Sequence, residues 1–265
     1  MIRGQEKICE RIDKSTLDSF PRTLMIVGPR GGGKHLICSY IAEKFNLMQR
    51  DITEELSQET IDEISTRVEP YLYIINANAL NVKEENVILK FLEEPLKNSF
   101  IVLVAETDIG ILQTVINRCQ IWYLQNYNRE FLSTFITNGN NDVLQIAETP
   151  GQVVELMNIN FDEAVQLADK IVDKINIASV SNTLTLSNKV SYKESEENKV
   201  NIQLFVDILI SRIHMKWSAI QNSIYVPMYS LTAELKRNLT IKNLDQKYLF
   251  ENYLISLWSL VRRSS

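Results

Sequence analysis

A glycine-rich run, Gly28-Pro29-Arg30-Gly31-Gly32-Gly33-Lys34, constrains this chain more than any other feature. Before it, Thr23 to Val27 reads as a buried strand, and the residues after Lys34 open a helical run. In a strand, glycine loop and helix arranged in that order, backbone N–H groups converge on a phosphate. The helix N-terminus adds its partial positive charge, and the lysine reaches the outer phosphates. Gly28, Gly31, Gly32, Gly33, Lys34 and His35 are therefore candidate nucleotide-binding residues.

Three further apolar runs, Leu72 to Ile75, Ile101 to Ala105 and Ile121 to Leu124, repeat the strand signal with helical stretches between them. Runs this continuous fit strands covered on both faces, so an α/β fold with a parallel sheet is expected. After Gln125 the strand signal fades, and Arg129 to Thr137, Asn141 to Glu148, Gly151 to Asn158 and Phe161 to Ile175 read as helices. Asn176 to Asn198 is rich in Ser, Thr, Asn, Lys and Glu without a period, which predicts a linker. Val200 to Asn222 and Leu244 to Arg263 read as long helices with more than one apolar face, suited either to the centre of a bundle or to an oligomer interface. The expected division is a P-loop domain over 1–125, a small helical domain over 126–176, and a linker with a helical C-terminal domain over 177–265.

The loop's chemistry is eroded at the metal. His35 stands where the pattern places Ser or Thr, whose hydroxyl binds Mg²⁺; a bulkier imidazole is a poor ligand for a cation that prefers hard oxygens. At the end of Tyr71-Leu72-Tyr73-Ile74-Ile75, where P-loop ATPases carry an Asp for the metal, the chain has Asn76-Ala77-Asn78. Asn76 can hydrogen-bond a hydrated ion but carries no charge and cannot act as a base at neutral pH. Glu84 and Glu85, the next carboxylates, are poor substitutes at that distance. The residues predict ATP or ADP binding with weak Mg²⁺ and weak hydrolysis.

Composition narrows the rest. A length of 265 residues with 45% hydrophobic content is enough for one large or several small cores. A formal charge of −5 and a pI near 5.3 leave no uniform basic field, so DNA contact is expected to be local or shared within an assembly. Lys236-Arg237 and Arg262-Arg263 read as solvated helix faces. Cys9, Cys38 and Cys119 lack any C-x-x-C spacing, which argues against a disulfide framework and against zinc, and fits a reducing cytoplasm. Met1-Ile2-Arg3-Gly4-Gln5 opens no signal-like apolar run, and nothing reads as a membrane helix, so a soluble protein is expected.

Asn86-Val87-Ile88-Leu89-Lys90-Phe91-Leu92-Glu93-Glu94-Pro95 closely resembles the N-A-L-L-K-x-L-E-E-P signature of bacterial clamp-loader subunits of the AAA+ class. Strand Ile101 to Ala105, Glu106-Thr107, and Val115-Ile116-Asn117-Arg118-Cys119, which resembles the family's S-R-C motif, follow in the right order. Gly4-Gln5 and Thr149-Pro150-Gly151 are weaker matches to an opening G-Q and to the S-P-G turn of a lid domain. A P-loop that has lost its metal-site acids is most similar to the delta prime subunits of DNA polymerase III. The family's four-cysteine zinc module is missing, since Asn46 to Pro70 contains no cysteine, and the usual lid arginine is replaced by Gln152.

The resemblance implies an AAA+ domain, a lid and a helical collar, in a clamp-loader subunit of a polymerase holoenzyme used in DNA replication. It implies that Arg118 is an arginine finger acting in trans on a neighbour's ATP, that Thr107 occupies the sensor position, and that Gln5 lies near the base. Each has a plainer reading: Arg118 as a helix C-terminal cap, Thr107 as an ordinary strand-end threonine, and Cys119 as a small buried hydrophobe. Implied partners are gamma/tau-like and delta-like subunits, a sliding clamp and primer-template DNA, with no membrane. An ATP-hydrolysing motor subunit and a P-loop adaptor in DNA recombination or repair are the alternatives.

Overall fold

The computed structural model describes residues 2–67, 69–93, 99–137, 139–174, 179–192, 199–239, 241 and 244–264. They fall into two compact units, Met1–Phe131 with Thr149–Gly151, and Leu132–Glu148 with Gln152–Ser265.

The first unit runs α1 (Glu6–Lys14), β1 (Thr23–Val27), α2 (Lys34–Phe45), β2 (Met48–Asp51), α3 (Gln58–Ser65), β3 (Tyr71–Asn76), α4 (Val82–Glu93), β4 (Phe100–Ala105), α5 (Gln113–Ile116), β5 (Gln120–Tyr123) and α6 (Arg129–Ser133). Its strands form one sheet in the order β2-β3-β4-β1-β5, every neighbouring pair parallel. Side chains alternate along each strand. Leu24, Ile26, Leu72, Ile74, Val102 and Val104 bury against Ile8 and Ile12 of α1 and Ile37 and Ile41 of α2. Met25, Val27, Tyr73, Ile75, Ile101 and Leu103 bury on the other face against Ile61 and Ile64 of α3 and Ile88 and Phe91 of α4. Helices on both faces are why these strands read as unbroken apolar runs. β2 shows no such run because it is an edge strand, and Met48-Gln49-Arg50-Asp51 is mostly exposed.

The second unit is helical: α7 (Pro150–Met157, its first two residues in the first unit), α8 (Phe161–Lys174), α9 (Val180–Leu184), a short pair β6 (Val190–Ser191) and β7 (Val200–Asn201), α10 (Ile202–Ile220), α11 (Tyr225–Asn238) and α12 (Gln246–Ser264). α10 packs along α8 and α11, and α11 packs on α12. Ala168 and Ile171 of α8, Phe205, Ile208 and Leu209 of α10, and Phe250 and Leu254 of α12 are fully buried. Phe205 meets Phe250 edge-on with centroids 6.0 Å apart. Asp169 accepts two hydrogen bonds of 2.9 Å from Arg212, joining α8 to α10.

The second unit corrects the linker reading. Residues 179–192 fold, with Leu186, Ser187 and Val190 buried. The short polar side chains that looked solvated close tight turns: the Ser179 hydroxyl accepts from Asn182 N, and Thr183 Oγ1 donates to Ser179 O at 3.0 Å. Residues 176–178 and 193–198 of the expected linker lie outside the described residues. α11 has no counterpart among the expected helices; its Pro227 sits in the first turn, where no N–H partner is lost. The expected helix over Asn141 to Glu148 is a 3₁₀ turn at Asn141–Gln145, and the expected helix from Arg129 ends at Ser133.

Candidate functional site

β1 lies between β4 and β5, and the glycine run leaves its C-terminal end, where ligands bind in open α/β sheets. Gly33 caps α2 with φ of 92°, a left-handed conformation that a side chain would strain. The first N–H groups of α2 have no partner inside the helix, a geometry able to receive an anion. The carbonyls of the loop are tied down in series. Lys34 Nζ donates to Gly28 O at 2.5 Å and Pro29 O at 3.0 Å. Thr149 Oγ1 donates to Arg30 O at 2.8 Å, Gly151 N to Gly31 O at 3.1 Å, and the Tyr127 hydroxyl to Gly32 O at 2.8 Å. Anchored peptide planes are what a preformed N–H cradle needs. Burial pushes the Lys34 ammonium below the ordinary lysine value, and the nearby Glu106 carboxylate opposes that shift.

His35 is exposed on the first turn of α2, and Asn76 is exposed at the end of β3. Asn76 N donates to Thr53 Oγ1 at 2.8 Å, and that hydroxyl donates to Asp51 Oδ1 at 2.6 Å. Asn78, which the sequence reading gave no role, staples the neighbouring strand end. Its Nδ2 donates to Thr107 O at 3.0 Å, and its Oδ1 accepts from Glu106 N at 2.5 Å. The signal for it was a polar residue just past the end of an apolar strand. Thr107 Oγ1 accepts from Ile109 N at 3.1 Å, which holds the turn after β4. Phosphates therefore fit this loop, whereas Mg²⁺ does not fit the donors offered by His35 and Asn76.

Arg118 stands apart. It follows α5, and its carbonyl accepts from Thr23 Oγ1 at 2.7 Å, at the first residue of β1. Its side chain is about one-third exposed, at 32%. It forms an ion pair with Glu93 at the end of α4 and donates from Nη1 to Thr114 O at 2.8 Å. The glycine loop leaves the opposite end of β1, so the loop and the Arg118 backbone are separated by on the order of 15 Å at about 3.3 Å per residue. Cys119 is a poor nucleophile, since burial pushes its thiol up to about 12.

Gln5 is fully buried, and both ends of its amide bind the Gln125 backbone, Nε2 to Gln125 O at 2.9 Å and Gln125 N to Oε1 at 2.8 Å, which ties the start of the chain to the segment after β5. Gln152 Oε1 accepts from Glu148 N at 2.8 Å, within its own turn. Glu94 and Pro95 of the signature lie outside the described residues.

Comparison with known proteins follows the same lines. The sequence profile of the family described as "DNA polymerase III, delta subunit" matches residues 40–128. The delta' subunit of DNA polymerase III from Haemophilus influenzae is 35% identical over 81 residues, which cover 31% of this chain and 24% of that protein. The chain thus matches about a quarter of that relative's length. Among solved structures, a DNA polymerase III gamma subunit-related protein from Thermotoga maritima superposes with a TM-score of 0.50 at 14% identity, over 97% of this chain and 99% of that one. The RuvB Holliday junction branch migration motor of Thermotoga maritima gives 0.50 at 15% identity over 96% and 87%. A point mutant of the same RuvB gives 0.51 at 15% over 94% and 87%. The fold is thus a parallel α/β sheet followed by a helical region, shared with these structures, and the family resemblance read from the motifs is matched across residues 40–128.

Proposed function

We propose that this chain is a clamp-loader subunit in which nucleotide chemistry has decayed and which serves a neighbouring ATPase. Arg118 is its contribution, an arginine finger that stabilises charge developing on a partner's transferred phosphoryl group. The observation that carries this reading is the placement of Arg118 at the far end of β1 from Lys34, too distant to act on a phosphate in the chain's own loop. His35, Asn76 and Gln152 leave that loop able to hold phosphates and poorly able to hold a metal, so ADP or ATP would bind as a structural ligand. Gly28, Gly31, Gly32, Gly33 and Lys34 form its cradle, with Thr107 beside it.

In the cytoplasm, the partners on this reading are gamma/tau-like and delta-like subunits, the sliding clamp and primer-template DNA. On this reading residues 126–176 form a lid, and the helical region within 177–265 forms a collar through which the assembly forms. Among the described residues no helix is long and apolar enough to cross a membrane. A motor reading draws on the intact Lys34 cradle, and a recombination adaptor on the RuvB-like fold, which at 15% identity concerns the fold alone. ATP turnover by the isolated chain tests the reading: no Mg²⁺-dependent turnover is expected, and turnover matching a motor ATPase would overturn it. A chain that binds a recombinase in pull-downs and ignores a ring-shaped clamp would support the adaptor.

A further inference from the structure

We infer that Glu93 is a positioning residue for Arg118, holding the guanidinium by one edge so that its remaining donors face outward; this rests on the arginine-finger reading above. Two separate elements converge on one side chain. Glu93 ends α4 and pairs with Nη2, while Nη1 donates to Thr114 O on α5 at 2.8 Å. The backbone is fixed independently, since Thr23 Oγ1 donates to Arg118 O at 2.7 Å. Arginine carries more N–H donors than these two contacts use, and its planar fork keeps the others in a set direction once one edge is anchored.

A competing role, in which Glu93 sequesters the finger, fails on strength. Both side chains are partly exposed, at 32% and 50%, and ion pairs of that kind bind weakly. Such a pair cannot withhold a guanidinium from a desolvated, doubly hydrogen-bonded phosphate, but it can restrict the rotamers from which the arginine starts. A finger acts only in the transition state, so losing its orientation lowers kcat and leaves the KM for ATP alone.

The experiment combines two readouts on Glu93→Ala, Glu93→Gln and Glu93→Asp, with Arg118→Ala as reference. In the isolated chain, the Arg118 Nη–H resonances, the protons that Glu93 and Thr114 O hold, are followed by low-temperature NMR. Glu93→Ala should speed their hydrogen exchange, and Glu93→Asp should restore most of the protection. In the reconstituted complex with the ATP-hydrolysing subunits, clamp and primed DNA, Glu93→Ala should lower kcat about three- to tenfold with KM unchanged. Glu93→Gln, which keeps one acceptor oxygen, should fall between Ala and wild type. If Arg118→Ala lowers turnover and the Glu93 variants do not, the positioning role is wrong and the finger stands. If Glu93→Ala raises turnover, Glu93 restrains the arginine and the proposal is overturned. If Arg118→Ala itself changes nothing, the finger reading falls and the positioning role with it.

Discussion

Gly151 donates its backbone N–H to the carbonyl of Gly31 at 3.1 Å, in a contact so close that a Cβ on Gly151 would stand 2.4 Å from the Gly31 Cα. With Thr149 Oγ1 donating to Arg30 O, the Thr149-Pro150-Gly151 turn is bonded to successive carbonyls of the glycine loop. The loop's shape therefore depends on a segment more than a hundred residues away in the chain.

Removing that support should loosen the loop. Thr149→Val deletes a hydrogen bond to a backbone carbonyl and should cost about 1 kcal/mol. It should also raise amide hydrogen exchange across residues 31–35, with Thr149→Ser restoring the wild-type rates. Gly151→Ala forces the two backbones apart and should cost about 1–3 kcal/mol. Unchanged exchange in both variants would show that the loop holds its shape unaided.

The donor set at the metal position predicts that Mg²⁺ contributes little to nucleotide affinity. Titrating fluorescent ADP with Mg²⁺ or with EDTA should give dissociation constants within about twofold for the wild-type chain. The double variant His35→Thr, Asn76→Asp supplies an oxygen ligand and a carboxylate and should make binding Mg²⁺-dependent by about tenfold. Strong Mg²⁺ dependence in the wild type would contradict the account.

The cysteines should be inert in the folded chain. Burial pushes the Cys38 and Cys119 thiols up to about 12, and Cys9 is fully buried. At pH 8, a thiol at about 12 is about one part in ten thousand thiolate, against about a quarter for an unperturbed thiol near 8.5. Labelling with a disulfide reagent should be slow in buffer and complete in urea. The sign for stability follows: the unfolded chain releases these protons first, so stability falls as pH rises from about 9 toward about 12.

Much of the first unit was legible because its chemistry is local. A strand buried on both faces is a run such as Ile101 to Ala105, and a phosphate loop is a contiguous glycine motif. What escaped depended on partners remote in sequence. The tie between the Gln5 amide and the Gln125 backbone joins residues far apart in the chain, and Asn78 gained a role only through Glu106 and Thr107 across the strand ends. β2 was invisible because an edge strand need not be apolar, and residues 179–192 read as linker because the polar residues that close their turns also compose loops.

The helical unit should be sensitive to one charge. Asp169→Asn removes the carboxylate that accepts both bonds from Arg212 and also faces Lys216 at 3.7 Å. Because these groups are partly exposed, the loss should be about 1 kcal/mol and should shrink at high salt. Urea unfolding at low and high ionic strength measures both. A salt-independent loss would mean that packing, not charge, joins α8 to α10.

The most direct test of the account is the rate of ATP turnover by the partner subunits with clamp and primed DNA, comparing wild-type chain with Arg118→Ala. The account predicts at least about a tenfold fall in kcat with little change in KM. Unchanged turnover with Arg118→Ala, together with hydrolysis by the isolated chain, would contradict it.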